Sequence, residues 1–328
     1  MMHYMKLKIV EEIKCVQNRE SKLIMKKLLI ICIFLNLLYA KDNITTNDVY
    51  YQIKLISFEI HSLLKYYNIT HDHEGIQKRV NVVTKFKQRN VWQKSYEIMI
   101  KINILRSSNK LPIIEPVNMA PVLNLNPDLV YEQTQRILTE IKIFKDRLGI
   151  KYEKPIFETF KGKTPLDVFN GLSAISAGLD ELNKGELTPS YVFGENMRVY
   201  HDVTQILDYL NIEDKTIPAK KNIRATLANA FNTGMLILNK IKELQISSGI
   251  DFVDFNKLRK SKQNSSNVFS ITEMIIAELQ TIKAYLGIQN ITSAASSYSS
   301  KTPVEVDQLM SWNLRKLNLI NSLNIRKK

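Results

Sequence analysis

The chain has 328 residues, 46 Lys and Arg against 32 Asp and Glu, a formal net charge of +14, and 45% hydrophobic residues with two cysteines. That length and apolar content suffice for a large buried core and exclude a disordered chain or a small disulfide-stapled domain. The basic balance would raise nucleic acid as a partner in a cytosolic protein, so the first question is where the chain resides.

The N-terminal region answers it. Met25-Lys26-Lys27 precedes an apolar run over residues 28–38, and Tyr39-Ala40 precedes the polar Lys41-Asp42-Asn43. A charged start, a short apolar centre and a small residue at the cleavage position predict a secretory signal peptide over 25–40. Residues 1–24 read as a mis-called upstream extension with Met25 the natural initiator. The run is too short to span a bilayer, and Cys32 stands behind Ile31, where a lipoprotein would need a small residue. Cys15 and Cys32 both precede the cleavage point, so the mature chain has no disulfide, thiolate nucleophile, zinc-thiolate site or covalent haem. No cofactor is implied. From Lys41 onward 39 basic and 29 acidic side chains remain, a net of +10. The expected location is the periplasm, which argues against nucleic acid.

One helical pattern then recurs six times, at Val49, Val130, Val168, Val192, Val268 and Val306. Four residues earlier stand Thr45, Asn126, Thr164, Thr188, Asn264 and Thr302, all good N-caps, and in four copies proline follows, which suits the first helical position. Steps of four and three from the valine give an apolar stripe, for example Val130, Thr134, Ile137, Ile141, Phe144 and Leu148. Asn68, Gly149, Asn211 and Gly287 stand nineteen residues after four of the valines and are of the types that end helices in the left-handed conformation. Two less regular helices, near 79–105 and 220–246, carry Val91-Trp92 and Ala230-Phe231 where the others have valine and an aromatic. Matching positions recur at offsets of 143, 139, 138 and 138 residues. Internal repetition of this kind fixes architecture first. The fold class expected is all-α: an internally duplicated four-helix bundle, eight helices in two tandem, closely packed up-and-down bundles over 41–186 and 187–328. The turn between the halves, 183–187, is short. The longer irregular stretches are 109–125, with Pro112, Pro116 and Pro121, then 247–263 and the Ser-rich 288–301.

Chemistry is sparse by comparison. The mature chain has four histidines, His61, His71, His73 and His201. No metal site is assigned; His71-Asp72-His73 is a weak candidate turn that would need another ligand. The chain contains no HExxH, GxSxG or Gly-rich phosphate loop, so no catalytic residue is assigned and an enzyme is not expected. Glu59, Glu140 and Glu278 share one position of the repeat, and their place beside the stripe predicts solvated boundary residues rather than a carboxylate cluster. The aromatics Tyr50, Tyr131, Phe169, Phe193 and Phe269 directly follow the stripe valines. They and Trp92 read first as seals between helices, and otherwise as the wall of a ligand-binding cleft; Trp312 is a further contact candidate.

A repeated helix whose recurrent positions all have folding roles points to a periplasmic, non-enzymatic scaffold or protein-interaction module. An envelope protein is the expected partner, and an acidic surface or a small ligand the others, with no membrane span after signal cleavage. The alternative is a small-ligand binding or sensory bundle with an aromatic-lined cleft, an expectation from fold-level analogy.

Overall fold

Each helix begins where a polar side chain can satisfy backbone N–H groups that have no partner inside the helix. All six expected N-caps hold that position. At Thr164, for example, the backbone N–H donates to Asp167 at 2.8 Å while the Asp167 N–H donates to the threonine hydroxyl at 3.3 Å. In the computed structural model, which describes residues 44–70, 85–151, 153, 155–185, 187–255, 263–321 and 325, these starts open helices over much of the chain. They are α1 (Thr46–Tyr66), α2 (Gln88–Ser108), α3 (Pro127–Arg147), α4 (Pro165–Leu182), α5 (Pro189–Tyr209), α6 (Leu227–Ser247), α7 (Ser265–Leu286) and α8 (Pro303–Asn318). The chain is all-helical among the described residues, as expected. The upstream extension, the signal peptide and the His71-Asp72-His73 turn lie outside them.

The helix ends follow the chemistry too. Asn68, Gly149, Asn211 and Gly287 all have positive φ, between 54° and 78°. Two starts differ from expectation. The region 220–246 becomes helical only at Leu227, because the carboxamide oxygen of Asn229 accepts from the Thr226 backbone N–H at 2.9 Å and fixes the N-cap there. Likewise Asn90 accepts from the Lys87 N–H at 3.0 Å, so α2 starts at Gln88.

Helix α1 packs against α3 and α4, and α2 packs against the same two; α5 packs against α7 and α8, and α6 against the same two. The main helix-on-helix contact between the groups is that of α2 with α7, and residues Ile44–Lys328 form one compact unit. The stripe valines Val49, Val130, Val168, Val192, Val268 and Val306 are fully buried, at the centre of a continuous apolar core.

The up-and-down arrangement is overturned by the register of the contacts. Gln52 meets Tyr131 and Glu59 meets Lys145, so α1 and α3 run the same way. Asn47 meets Lys163 and Ile53 meets Gly171, which aligns α4 with α1; Phe86 meets Phe169 and Lys101 meets Asn183, which aligns α2 with α4. In the second group Asn196 meets Thr272 and Asp202 meets Lys283, Gly234 meets Ile271 and Gln245 meets Thr281, and Thr233 meets Asp307 while Gly234 meets Met310. Within each group, then, the helices are parallel. The groups oppose each other, since Arg89 meets Glu278 while Lys101 meets Ser266.

Connection length is the physical reason. The 17 positions from 210 to 226 can extend about 55 Å, against about 32 Å for a 21-residue helix. This segment runs back along α8: Asp214 pairs with Lys316, Thr216 accepts from Trp312 at 3.0 Å, and Lys221 pairs with Glu305 at 2.9 Å. The α7–α8 segment returns along α5 in the same manner, from Thr292 on Asp202, through Ser293 on Arg198, to Lys301 on Ser190. Only the turn between Leu182 and Pro189 is too short to return, and there the direction reverses. The N-caps Thr188, Thr226, Asn264 and Thr302 are accordingly spaced by 38 residues, one helix plus one return segment.

Candidate functional site

The seam between the groups concentrates the unusual chemistry. Helix α2 is buried on all sides over Arg89–Met99, and α7 over Ile271–Lys283. The reason is legible in α2 itself. Val91, Ile98, Ile102 and Leu105 form a buried apolar stripe, and Asn90, Lys94, Glu97 and Lys101 form a second stripe at helical spacing. That polar stripe faces α4 and α7.

At one end Glu278 of α7, 1% exposed, accepts from Arg89 Nε at 3.0 Å, Arg89 Nη2 at 2.9 Å, Asn90 at 2.7 Å and Gln245 of α6 at 2.8 Å. At the other end Lys101, with no exposed surface, donates to Ser176 and Ser266, each at 2.6 Å, and stands 2.8 Å from Asp180 and 3.2 Å from Glu97. Glu97 also accepts from Lys94 at 2.7 Å, from Ser176 at 2.6 Å and from Ser270 at 2.7 Å. Burial by itself would raise the Glu97 pKa, but the Lys94 and Lys101 charges and these hydrogen bonds outweigh it and hold the value at about 2. Burial is likewise the largest influence on Lys94 and lowers its pKa, with Glu97 opposing.

Between these ends Arg198 of α5, 4% exposed, pairs with Glu195 at 2.5 Å and lies 3.7 Å from Glu273 of α7. Its guanidinium covers the Tyr96 ring at 4.4 Å, and Gln93 donates to Glu273. Burial and the Glu195 carboxylate push the Glu273 pKa well up. Burial also pushes the Tyr96 hydroxyl up. Charged groups this deep are costly unless paired, and here they are used to fasten helices to each other.

The residues singled out from the sequence are dispersed. Tyr50 meets Phe160 edge-on at 4.9 Å with Lys163 over its ring at 4.5 Å; Phe193 meets Tyr298 at 4.9 Å with Lys301 at 4.6 Å. Phe169 stacks on Phe86 at 3.9 Å, Phe269 is fully buried, Trp92 lies over Tyr96, and the Tyr131 hydroxyl accepts from Gln52 at 3.1 Å. Trp312 donates to Thr216 and packs on Tyr200. These side chains stand on separate helices, each against its own neighbours. A half-open depression of about 440 Å³ between α1 and α3 is lined instead by Glu59, Lys142, Lys145, Asp146 and Lys151 together with Gly149 and Ile150.

The solvated-boundary reading of the shared glutamates is corrected. Glu59 is 2% exposed and paired with Lys145, Glu140 pairs with Arg106 at 2.9 Å, and Glu278 is held as described. Each meets a cation on a neighbouring helix. Reading the +10 position together with a Lys, Arg or Gln at +15 of the adjoining helix would have found them. Among the described residues no group of three His, Cys, Asp or Glu could hold a metal, and no helix is long and apolar enough to cross a membrane. The chain matches no protein-family model, no curated protein and no solved structure.

Proposed function

We propose that the protein is an exported, non-enzymatic helical scaffold that docks an envelope partner through its outer helices. The observation that carries this reading is the seam. Polar and charged side chains of α2, Arg89 on Glu278 foremost, fix α2 of one group to α7 of the other, and the remaining helices are left to offer docking faces.

The same reading takes the body as two copies of one four-helix unit, 41–186 and 187–328. Recurrent contacts support it. Glu59 and Lys145 lie ten and fifteen residues after their stripe valines, and so do Asp202 and Lys283; both pairs are buried ion pairs between the first and third helix of a group. Arg106 with Glu140 has its counterpart in Gln245 with Glu278. The clamp of Phe160 and Lys163 on Tyr50 recurs as Tyr298 and Lys301 on Phe193. A net of +10 favours a partner with acidic surface.

The test uses the mature chain from Lys41 as bait in envelope extract, beside a thermal-shift screen against metabolites. A partner that survives washing and is released by raised salt is expected. No retained partner, together with stabilisation by a metabolite, would sink the scaffold in favour of a ligand-binding bundle. Fractionation with N-terminal mass analysis checks export: a cytoplasmic chain that keeps residues 25–40 would overturn it.

A further inference from the structure

We propose that Glu195 and Glu273 form a one-proton site, a carboxylate and a carboxylic acid bracketed by Arg198, whose proton keeps the junction between the two helix groups closed. This goes to the regulation of the seam on which the scaffold reading rests.

The site lies where α2, α5, α7 and two return segments meet. From α5 come Glu195 and Arg198, 2.5 Å apart. From α7 comes Glu273, whose Oε1 stands 3.7 Å from the same Arg198 Nη1 that pairs with Glu195. Helix α2 contributes Gln93, which donates to Glu273 Oε2, and Tyr96, whose ring lies under the guanidinium. Arg198 is anchored from behind by the Ser293 carbonyl at 2.9 Å and by Asn118 at 3.4 Å. Lys94 is committed elsewhere, to Glu97, Ser270 and Ser176.

Charge balance decides the protonation. Both carboxyl groups are 2% exposed, and one guanidinium faces them. With both ionised, the site carries a buried net negative charge and Glu273 Oε1 has no hydrogen donor. With one proton, the site is neutral and the Glu273 acid donates to Glu195. Two carboxylates in contact with a single cation resolve in this way. Releasing it leaves two buried anions, one on α5 and one on α7, sharing a single guanidinium beside α2.

The sign follows. The folded chain keeps a proton that an unfolded chain releases above about pH 4.5. Stability from this site is therefore fully present below that value and falls as pH rises through the raised folded value, above which it is level. Export would expose the junction to an external pH the cytosol does not set.

The test is amide hydrogen exchange of the mature chain from about pH 4.5 to about pH 9, corrected for intrinsic rates, with each 1.4 kcal/mol read as about tenfold in protection. Wild-type protection in α2, α5 and α7 is expected to fall with pH. In Glu273→Gln the amide supplies the missing donor permanently, so protection stays flat. Glu195→Gln leaves one carboxylate for Arg198 and flattens the profile as well, so the test stands if either variant fails to fold. A wild-type profile that is flat, or variants that lose protection in parallel with wild type, would overturn the proposal. No partner protein is involved, so failure here leaves the scaffold reading standing, and an empty pull-down leaves this site standing.

Discussion

Arg89 and Glu278 form a two-pronged ion pair, Nε to Oε1 at 3.0 Å and Nη2 to Oε2 at 2.9 Å, that ties the first helix group to the second. The pair is 5% and 1% exposed, and the amide of Gln245 from a third helix completes it. Removing one partner from so buried a pair strands the other. Arg89→Met should therefore destabilise the protein by about 3–5 kcal/mol, whereas Arg89→Met with Glu278→Leu should recover most of that loss. Urea denaturation of the four members of the cycle checks this. If the double variant is as unstable as the sum of the singles, the two residues are not a coupled pair.

Glu97 sets an acid limit. Its folded pKa of about 2 lies below the ordinary 4.5, so its contribution is fully present above that ordinary value and is lost as pH falls toward about 2. Glu97→Gln leaves Lys94 and Lys101 facing each other with Asp180 alone to balance them, which should cost about 3–5 kcal/mol at neutral pH. The gap between wild type and variant should close on acidification. Melting temperatures measured from neutral pH down to about pH 2.5 decide it, because a gap that holds constant assigns Glu97 a packing role instead.

How these groups were hidden is itself physical. Helix starts, stops and apolar stripes depend on neighbours within one segment, so Thr164, Asn211 and Val268 could be read in place from the chain alone. Glu59 and Lys145 are 86 residues apart, and only the parallel register brings them together. That register depends on segments such as 210–226, which are long enough to run back along a helix, and the contacts that seat them lie about 90 residues further on. The polar stripe of Asn90, Lys94, Glu97 and Lys101 carries no local sign of burial, since Ser266, Ser270 and Glu278, which meet it, lie far along the chain. The aromatics after the stripe valines were assigned to seals or to a cleft. Tyr50 and Phe193 instead hold return segments, a contact that requires knowing where those segments run.

Among the described glycines, Gly171 of α4 has the closest neighbour on another helix. A Cβ there would meet Ile53 Cγ2 at 2.5 Å, and Ile53 is fully packed in the core between α1 and α4. Gly171→Ala gains helix propensity of about 1 kcal/mol but forces the helices apart, so a net loss of about 1–3 kcal/mol is expected. Combined with Ile53→Ala the two changes should be less than additive, since the second removes the clash of the first. Additive losses in denaturant titrations would show that the crossing has room to relax.

The paired clamps offer the most direct probe of the duplicated architecture. Phe160 and Lys163 hold Tyr50 at 4.9 and 4.5 Å, and Tyr298 and Lys301 hold Phe193 at 4.9 and 4.6 Å. An edge-on ring pair contributes about 0.5–1.5 kcal/mol beyond its buried area, so Phe160→Ala and Tyr298→Ala should each cost about 1–3 kcal/mol. More telling is where the chain opens. Loss of one clamp frees one return segment and leaves the other seated, because each runs along its own helix. Limited trypsin digestion should therefore accelerate at Lys161 and Lys163 in Phe160→Ala and at Lys301 in Tyr298→Ala, without crossover. Local opening of this kind tracks the free energy of the segment rather than of the whole fold. Cleavage that rises at both sites in either variant would mean that the clamps stabilise the body globally and that the two segments are not independent copies of one device.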